Sequence, residues 1–206
     1  MDEKDHWEKV YGTKSPDAVS WFAPHLETSL NLIYEATQNK TASIIDVGGG
    51  EATLVDDLLL DGFTDLSVLD ISQRAIDVAR GRIGKNANNV HWYCADITKA
   101  TLPQNYFDVW HDRAVFHFLT DAAQREIYVE QVMLSVKHGG HVIISTFGPE
   151  GPEQCSGLDV VRYDAERLHG QFGKTFKLLN STTEIHKTPM GTTQQFLYCF
   201  CRMEWS

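Results

Sequence analysis

The chain has little positive charge: 18 Lys and Arg stand against 28 Asp and Glu in 206 residues, a formal net charge of −10. Proteins held to nucleic acid by phosphate contacts present a basic face, so this balance disfavours a nucleic-acid partner, and no run of Lys and Arg restores one. Also missing is any apolar run near the roughly 18 residues that a membrane-spanning helix needs. The opening Met1-Asp2-Glu3-Lys4-Asp5-His6 is too polar for a signal peptide, so the expectation is a cytoplasmic protein without a membrane partner. The 4 cysteines, Cys94, Cys155, Cys199 and Cys201, are too scattered for a disulfide framework and are expected to be reduced thiols. Cys199 and Cys201 are separated by one residue, which puts both on one face of a strand and not in a zinc knuckle. The 9 histidines show no His-x-x-x-His pair, and no metal site is expected. Repeats and low-complexity linkers are absent too, and 206 residues at 42% hydrophobic suit one domain with one good core.

What is present is an alternation of strand and helix. After a polar N-terminal segment, Leu26, Leu30, Ile33 and Tyr34 recur at helical spacing and predict a helix over Pro24 to Thr37. Strands are expected at Ser43 to Val47, Leu66 to Leu69, Val90 to Cys94 and Tyr106 to Trp110. Helices are expected at Glu51 to Asp61, closed by Gly62, and at Gln73 to Ile83, capped by Ser72. Thr120 or Asp121 caps a further helix to about Val136, and Gly139-Gly140 then turns the chain into a strand at His141 to Thr146. A loop from Phe147 to Gly157, a short helix near Asp164 to Phe172 and two strands, Phe176 to Ile185 and Gln194 to Arg202, complete the pattern. Such alternation builds a parallel sheet with helices on both faces, an α/β architecture. The two final strands follow each other through a short turn, so the last one runs antiparallel.

The segment from Ser43 to Leu54 runs an apolar strand into Gly48-Gly49-Gly50 and then towards a helix, the form of a nucleotide-binding edge. Gly48 and Gly50 fit the first two positions of Gly-x-Gly-x-x-Gly, but Thr53 stands at the third. Glu51 is expected at the helix N-terminus, where an acid repels a pyrophosphate. A phosphate-free ligand carrying an ammonium and a sulfonium suits it better, which describes S-adenosylmethionine. Asp70 follows about twenty residues on, where a strand-end carboxylate accepts ribose hydroxyls. Asp96 can accept from an adenine amino group while Ile97 touches the ring. Both acids have an ordinary alternative as solvated strand-end or loop residues.

Together these segments resemble the class I S-adenosylmethionine-dependent methyltransferases over essentially the whole chain. Asp46-Val47-Gly48-Gly49-Gly50-Glu51-Ala52 is similar to that family's first motif, with Ala52 where glycine is frequent. Phe107-Asp108-Val109-Trp110-His111-Asp112 resembles the fourth motif and Gly139-Gly140-His141-Val142 the sixth. The resemblance implies a Rossmann-like seven-stranded sheet formed by residues 1–206 as one domain, with 1–40 a helical lid segment within it. It implies S-adenosylmethionine as cofactor and S-adenosylhomocysteine as product, held by Asp46, Gly48, Gly50, Asp70, Ile71, Asp96, Ile97 and Asp112, with Tyr11 and Trp21 from the lid.

A narrower resemblance lies in Trp7-Glu8-Lys9-Val10-Tyr11, Ser20-Trp21-Phe22, His111 to Leu119 and Gly151 to Leu158. These are similar to small bacterial methyltransferases that include thiol- and sulfide-methylating enzymes, and also to lysine methyltransferases. The expected substrate is therefore a small nucleophile, thiol or sulfide first, with protein lysine as the alternative and a non-catalytic cofactor-binding regulator as a third reading. A monomer and a weak dimer both remain open. Ligands lie beyond the C-terminal ends of parallel strands, which nominates Asp112, Arg113 and His117 as catalytic candidates, His117 as base or orienter. Cys155, Arg162, Tyr163 and His186 are candidates for the substrate side; Arg113 and Arg162 could hold a carboxylate through paired N–H donors. The alternatives are packed histidines, an unreactive loop thiol and arginines that neutralise neighbouring acids.

Overall fold

The computed structural model describes residues 3–204. Seven strands form one sheet: β1 (Ser43–Val47), β2 (Asp65–Asp70), β3 (Val90–Cys94), β4 (Phe107–Arg113), β5 (Val136–Phe147), β8 (Phe176–Lys187) and β9 (Thr193–Met203). A separate hairpin joins β6 (Gln154–Cys155) to β7 (Leu158–Asp159). The sheet order is β3-β2-β1-β4-β5-β9-β8, and β9 is antiparallel to both β5 and β8 while the other pairings are parallel. The expected Rossmann-like sheet with an antiparallel last strand is thus present. The chain order reverses at β1 and β4, and ligands bind such sheets beyond the C-terminal strand ends at that reversal.

Helices α1 (Glu3–Thr13), α2 (Glu27–Ala36), α3 (Leu54–Leu60), α4 (Gln73–Ile83), α5 (Ala122–Ser135) and α6 (Ala165–Phe172) surround the sheet. The strands of the sheet centre are apolar on both sides because both sides are covered. One core joins Ile45, Val47, Phe107 and Trp110 to Tyr128 and Val132 of α5 and Leu168 and Phe172 of α6. The other joins Ile44 and Val109 to Leu32 and Ile33 of α2 and Val55 and Leu58 of α3. Along β9 the alternation is strict: Leu197, Cys199, Cys201 and Met203 enter the first core, Phe196, Tyr198 and Phe200 the second. Cys199 and Cys201 therefore share a face as expected, as free thiols. Truncating a buried ring such as Phe107 or Phe200 to Ala is expected to cost about 3–5 kcal/mol.

Side-chain caps form where the sequence places them: Ser72 accepts from the Ala75 N–H, Asp121 from Ala123 and Asp164 from Arg167. The polar N-terminus forms α1, held to α4 by Glu8, which accepts from the Gln73 N–H at 2.7 Å and pairs with Arg74 at 3.4 Å. Three segments differ from expectation. Helix α3 starts at Leu54, so Glu51 lies in the preceding turn and not at a helix N-terminus. Gly139-Gly140 is no turn between elements: α5 passes directly into β5, which carries both glycines. Phe107 pairs with Val136 and Val109 with His141, so the surplus residues of β5 bulge, with Gly139 at φ +78. The loop from Phe147 to Gly157 contains β6, which buries Cys155.

Candidate active site

At the end of β1 the chain turns under β2: the N–H groups of Gly48 and Gly49 both donate to the Leu69 carbonyl, at 2.7 and 3.3 Å. Gly48 has φ +71 and Gly50 φ +36. A Cβ on Gly48 would lie 2.0 Å from Val115 Cγ2, and one on Gly50 2.7 Å from Asp70 Oδ2 and 3.2 Å from Tyr11 Oη. Conformation and space both demand glycine here, and the missing side chains leave a cradle. Beside it, Asp70 is buried, its Oδ1 accepting from the Ser72 N–H at 2.8 Å. Burial raises the Asp70 pKa to about 7; the Ser72 N–H opposes that rise, and the Asp46 and Glu51 carboxylates reinforce it. Glu51 is buried with Oε2 unpartnered, and burial raises its pKa to about 7 against the pull of Arg82.

The cradle opens into a cleft enclosing about 850 Å³ free of protein atoms, part of it continuous with solvent. Asp70, Ile71, Asp96 and Ile97 border one end, and Gly48 and Val115 border it beneath β1 and β4. The Asp96 carboxylate is engaged locally, by the Thr98 N–H at 2.9 Å, the Thr98 hydroxyl at 2.7 Å and Lys99 at 2.8 Å. Burial would raise its pKa, but these bonds from Lys99 and Thr98 outweigh that and hold it below the usual range. Trp7 and Tyr11 descend from α1 onto Trp21 and Phe118, with ring centroids of Trp7 5.9 Å from Trp21 and 5.1 Å from Phe118. Arg113, Phe147, Phe196 and Cys155 border the far end.

Behind the cradle runs a buried polar chain. Asp46 Oδ1 meets His111 Nδ1 at 2.7 Å, and His111 Nε2 meets Ser29 Oγ at 2.9 Å. Ser29 Oγ stands 3.4 Å from Tyr198 Oη, which accepts from Arg113 Nε at 3.2 Å. Asp46 on β1 and Arg113 on β4 are thereby linked through an imidazole and two hydroxyls. Asp46 supports the turn from within: its Oδ2 would stand 2.6 Å from a Cβ at Gly49.

Several sequence candidates stand elsewhere. Asp112 is fully buried and accepts from the Val115 N–H at 2.8 Å, the Phe116 N–H at 3.0 Å and the Tyr128 hydroxyl at 2.6 Å. Burial raises its pKa to about 6 against those donors, and it shapes the turn that carries Val115 and Phe118 without bordering the cleft. His117 is also fully buried: its Nδ1 accepts from the Phe147 N–H at 3.3 Å, and its ring packs on Phe118 and Phe147. Burial first, and the Arg113 charge second, lower its pKa to about 3, so it is a neutral packed ring in place of the expected base. His186 donates Nε2–H to the Ser20 carbonyl at 2.9 Å. Arg162 pairs with Glu153 at 2.8 Å and donates to the Pro149 and Gly151 carbonyls, on a separate surface hollow. Tyr163 is buried against Phe116. Cys155, expected in a flexible polar loop, is buried in β6 at the cleft wall, and burial raises its pKa to about 11.

Sequence reasoning missed His111, Trp7, Phe118, Phe147 and Phe196 as individual site residues. Trp7 and Tyr11 are four apart, which puts both on one face of a helix, and that spacing was the available signal for the first. Phe147 and Phe196 meet across β5 and β9, a pairing that neither local sequence contains.

The cradle, the acid-bordered end of the cleft and its position at the sheet reversal fit an adenosine-type ligand bearing positive charge. Residues 44–140 match the family described as Methyltransferase domain. Curated relatives include a malonyl-(acyl-carrier protein) O-methyltransferase of Acetivibrio thermocellus, 31% identical over 189 residues that cover 79% of this chain and 64% of that protein. An eEF1A lysine and N-terminal methyltransferase of Mus musculus is 25% identical over 140 residues, 68% of this chain and 20% of that protein. The chain thus spans less than two thirds of the length of these relatives. Among solved structures, the N-methyltransferase NodS of Bradyrhizobium japonicum, in complex with S-adenosylhomocysteine, superposes with a TM-score of 0.75 at 14% identity, covering 98% of this chain and 99% of that one. The chain has the fold of the class I methyltransferases, and residues 44–140 within it match the Methyltransferase domain family.

Proposed function

We propose that the chain transfers the methyl group of S-adenosylmethionine to a small sulfur nucleophile, a thiol or hydrosulfide. The observation that carries this reading is the make-up of the far end of the cleft: it is walled by Trp21, Phe118, Phe147 and Phe196 and offers no imidazole base. His117 is turned into the core with Nδ1 already accepting an N–H, and the Nε2–H of His186 is given to the Ser20 carbonyl. A thiol, with a pKa near 8.5, is partly ionised at neutral pH and needs no base; a lysine amine, near 10.4, does. A protein lysine would also need an entry wide enough for a peptide, whereas α1 and the β6–β7 hairpin flank this cleft.

Asp70 would hold the ribose hydroxyls, Ile71 and Ile97 would flank the adenine, and the acids Asp46 and Glu51 would face the ammonium group. The bound cofactor supplies a methyl carbon on a positively charged sulfur. A thiolate that has already lost its proton to solvent would form the new S–C bond as the sulfonium C–S bond breaks, and that bonding pair would leave with a neutral thioether. The protein's part is alignment and the exclusion of water by Trp7, Trp21 and Phe118. No helix among the described residues is long and apolar enough to cross a membrane; a cytoplasmic reaction on a diffusible substrate belongs to this reading.

The test is incubation of purified protein with methyl-labelled cofactor and, separately, sulfide, small thiols, small amines and lysate protein. Label in a small thioether is the expected result. Label confined to a protein band would transfer the assignment to lysine methylation, and cofactor binding without transfer to any acceptor would make the chain a non-catalytic binder.

A further inference from the structure

We propose that Arg82, which does not border the cleft, is the positioning residue of the cofactor cradle: from α4 it fixes the Glu51–Ala52 turn, and through that turn the glycines that receive the amino-acid end of the cofactor. The inference concerns the cofactor alone and does not depend on the acceptor. Helix α3 begins only at Leu54, with the Asp57 N–H bonded to the Thr53 carbonyl, so the carbonyls of Glu51 and Ala52 lie before its ladder. The Thr53 hydroxyl does not cap the helix and donates to the Pro24 carbonyl at 2.9 Å. Arg82 takes both of the preceding carbonyls: Nη1 donates to that of Glu51 at 2.8 Å and Nη2 to that of Ala52 at 2.7 Å. Its Nε and Nη2 also donate to Oδ1 and Oδ2 of Asp56, in the first turn of α3, at 2.8 and 2.7 Å. One planar fork thus ties α4 to the turn and to α3 at once, a geometry that a lysine ammonium cannot reproduce.

The turn needs holding because of its composition. Gly48, Gly49 and Gly50 carry backbone freedom that is given up when a ligand is enclosed, and Gly48 and Gly50 stand at positive φ. Their upstream side is fixed to β2 by the two N–H bonds to the Leu69 carbonyl, and Arg82 fixes the downstream side. Tolerances between are small. A Cβ at Gly49 would meet Asp46 Oδ2 at 2.6 Å and one at Gly50 would meet Asp70 Oδ2 at 2.7 Å, so a shift of the turn alters its spacing to both acids. Asp70 keeps an anchor of its own in the Ser72 N–H, so what moves is the glycine side. Helix α4 thereby holds the cofactor site at two points, Ser72 at its start and Arg82 in its last turn. The guanidinium charge adds to this by opposing the rise that burial imposes on the Glu51 carboxyl. A cradle fixed before the ligand arrives relieves binding of the entropy loss of ordering it.

The experiment titrates S-adenosylhomocysteine and 5′-methylthioadenosine, which lacks the amino-acid end, into the full chain by calorimetry, with chemical denaturation of each variant alongside. Arg82→Met is expected to bind S-adenosylhomocysteine about tenfold more weakly, the equivalent of ordering the backbone of one residue on binding, and 5′-methylthioadenosine within about threefold of wild type. Arg82→Lys, which keeps the charge without the fork, is expected to recover only part of the loss. Asp56→Asn, which loosens Arg82 from α3, should show a smaller loss in the same direction. S-adenosylhomocysteine affinity within about twofold of wild type in folded Arg82→Met overturns the proposal, because a residue serving stability alone lowers the denaturation midpoint without altering the affinity of the folded protein. Equal weakening of both ligands overturns it too, since it marks a general distortion of the cleft. If Arg82→Met does not fold, the same two ligands decide on Arg82→Lys: a loss selective for S-adenosylhomocysteine supports the proposal and no selective loss overturns it. No acceptor enters the measurement, so failure here removes Arg82 alone, and failure of thiol turnover removes the thiol reading alone.

Discussion

Where β1, β2 and β3 end, the cleft is bordered by groups whose partners are sequence neighbours: Asp70 is held by Ser72, and Asp96 by Thr98 and Lys99. Where β4, β5 and β9 meet, the border is assembled from distant segments, with Arg113 reaching Trp21 across 92 positions and Tyr198 across 85. The first end carries Asp70 and Glu51, raised in pKa by burial, and Asp96, held low by its bonds; the second carries rings, one guanidinium and a protonated thiol. A cofactor common to many enzymes can be held by compact local turns, whereas an acceptor pocket is a matter of which remote side chains converge. The two ends are joined by the Asp46–His111–Ser29–Tyr198 chain, and breaking that link should have the largest effect. His111→Ala leaves the buried Asp46 carboxylate without its imidazole and Ser29 without its acceptor. The expected loss is about 1–3 kcal/mol in chemical denaturation, the range for leaving buried polar groups without their hydrogen-bond partner. A loss below about 1 kcal/mol would mean that the two ends are independently stable.

The same division governs what could be read in the chain. The alternation of strands and helices, the Gly48 to Gly50 turn, the Ser72 and Asp121 caps and the strand-end acid Asp70 are local patterns, and all are found in place. Glu51 sits near its expected position but on a turn, because α3 begins only at Leu54, so the phosphate argument built on a helix N-terminus does not apply; its burial and unpartnered oxygen are a different reason for favouring a cation. The place of His117 just after a strand end points to the cleft. A three-residue 3-10 turn, Phe116–Phe118, instead directs it into the core, a rotation that no sequence period encodes. Arg113 and Arg162 read alike in sequence, yet one is buried at the cleft wall and the other pairs with Glu153 on a surface hollow. The difference arises from β8 and β9 packing over Arg113 through Glu184, Phe196 and Tyr198, contacts formed only by the closed sheet.

A smaller effect is expected from altering the local, acid end. Asp70→Ala should weaken S-adenosylmethionine binding about tenfold or more in calorimetry, the loss of charge-assisted bonds to hydroxyls. Unchanged affinity would remove Asp70 from the cofactor site. The folded pKa of about 7 lies above that of an ordinary carboxylate, which fixes the sign of two pH effects. The ligand-free fold gains from the protonated acid below the unfolded pKa, and that gain is lost as pH rises through about 7. Cofactor binding runs the other way, since only the ionised acid accepts two hydroxyls and attracts a cation. Affinity should therefore climb severalfold between about pH 6 and pH 8. Asp70→Asn should flatten most of that slope, leaving the remainder to Glu51, whose pKa is raised to a similar value.

The smallest effect is expected at His117, and it tests whether the far end operates without a base. With its pKa lowered to about 3 by burial and by Arg113, this imidazole should show no titration by NMR between about pH 5 and 9, a range that brackets an ordinary histidine. His117→Asn keeps an acceptor for the Phe147 N–H and a neutral side chain. Methyl transfer to a thiol should then stay within about threefold of wild type, with an unchanged pH profile, because general-base catalysis by a side chain is worth about 10²–10⁴ and none of it is assigned here. A loss of that size, accompanied by disappearance of an inflection near neutrality, would mean that the ring swings out of the core when substrate binds. The far end would then need its base after all, and the amine acceptors disfavoured by its closed, ring-walled form would return to contention.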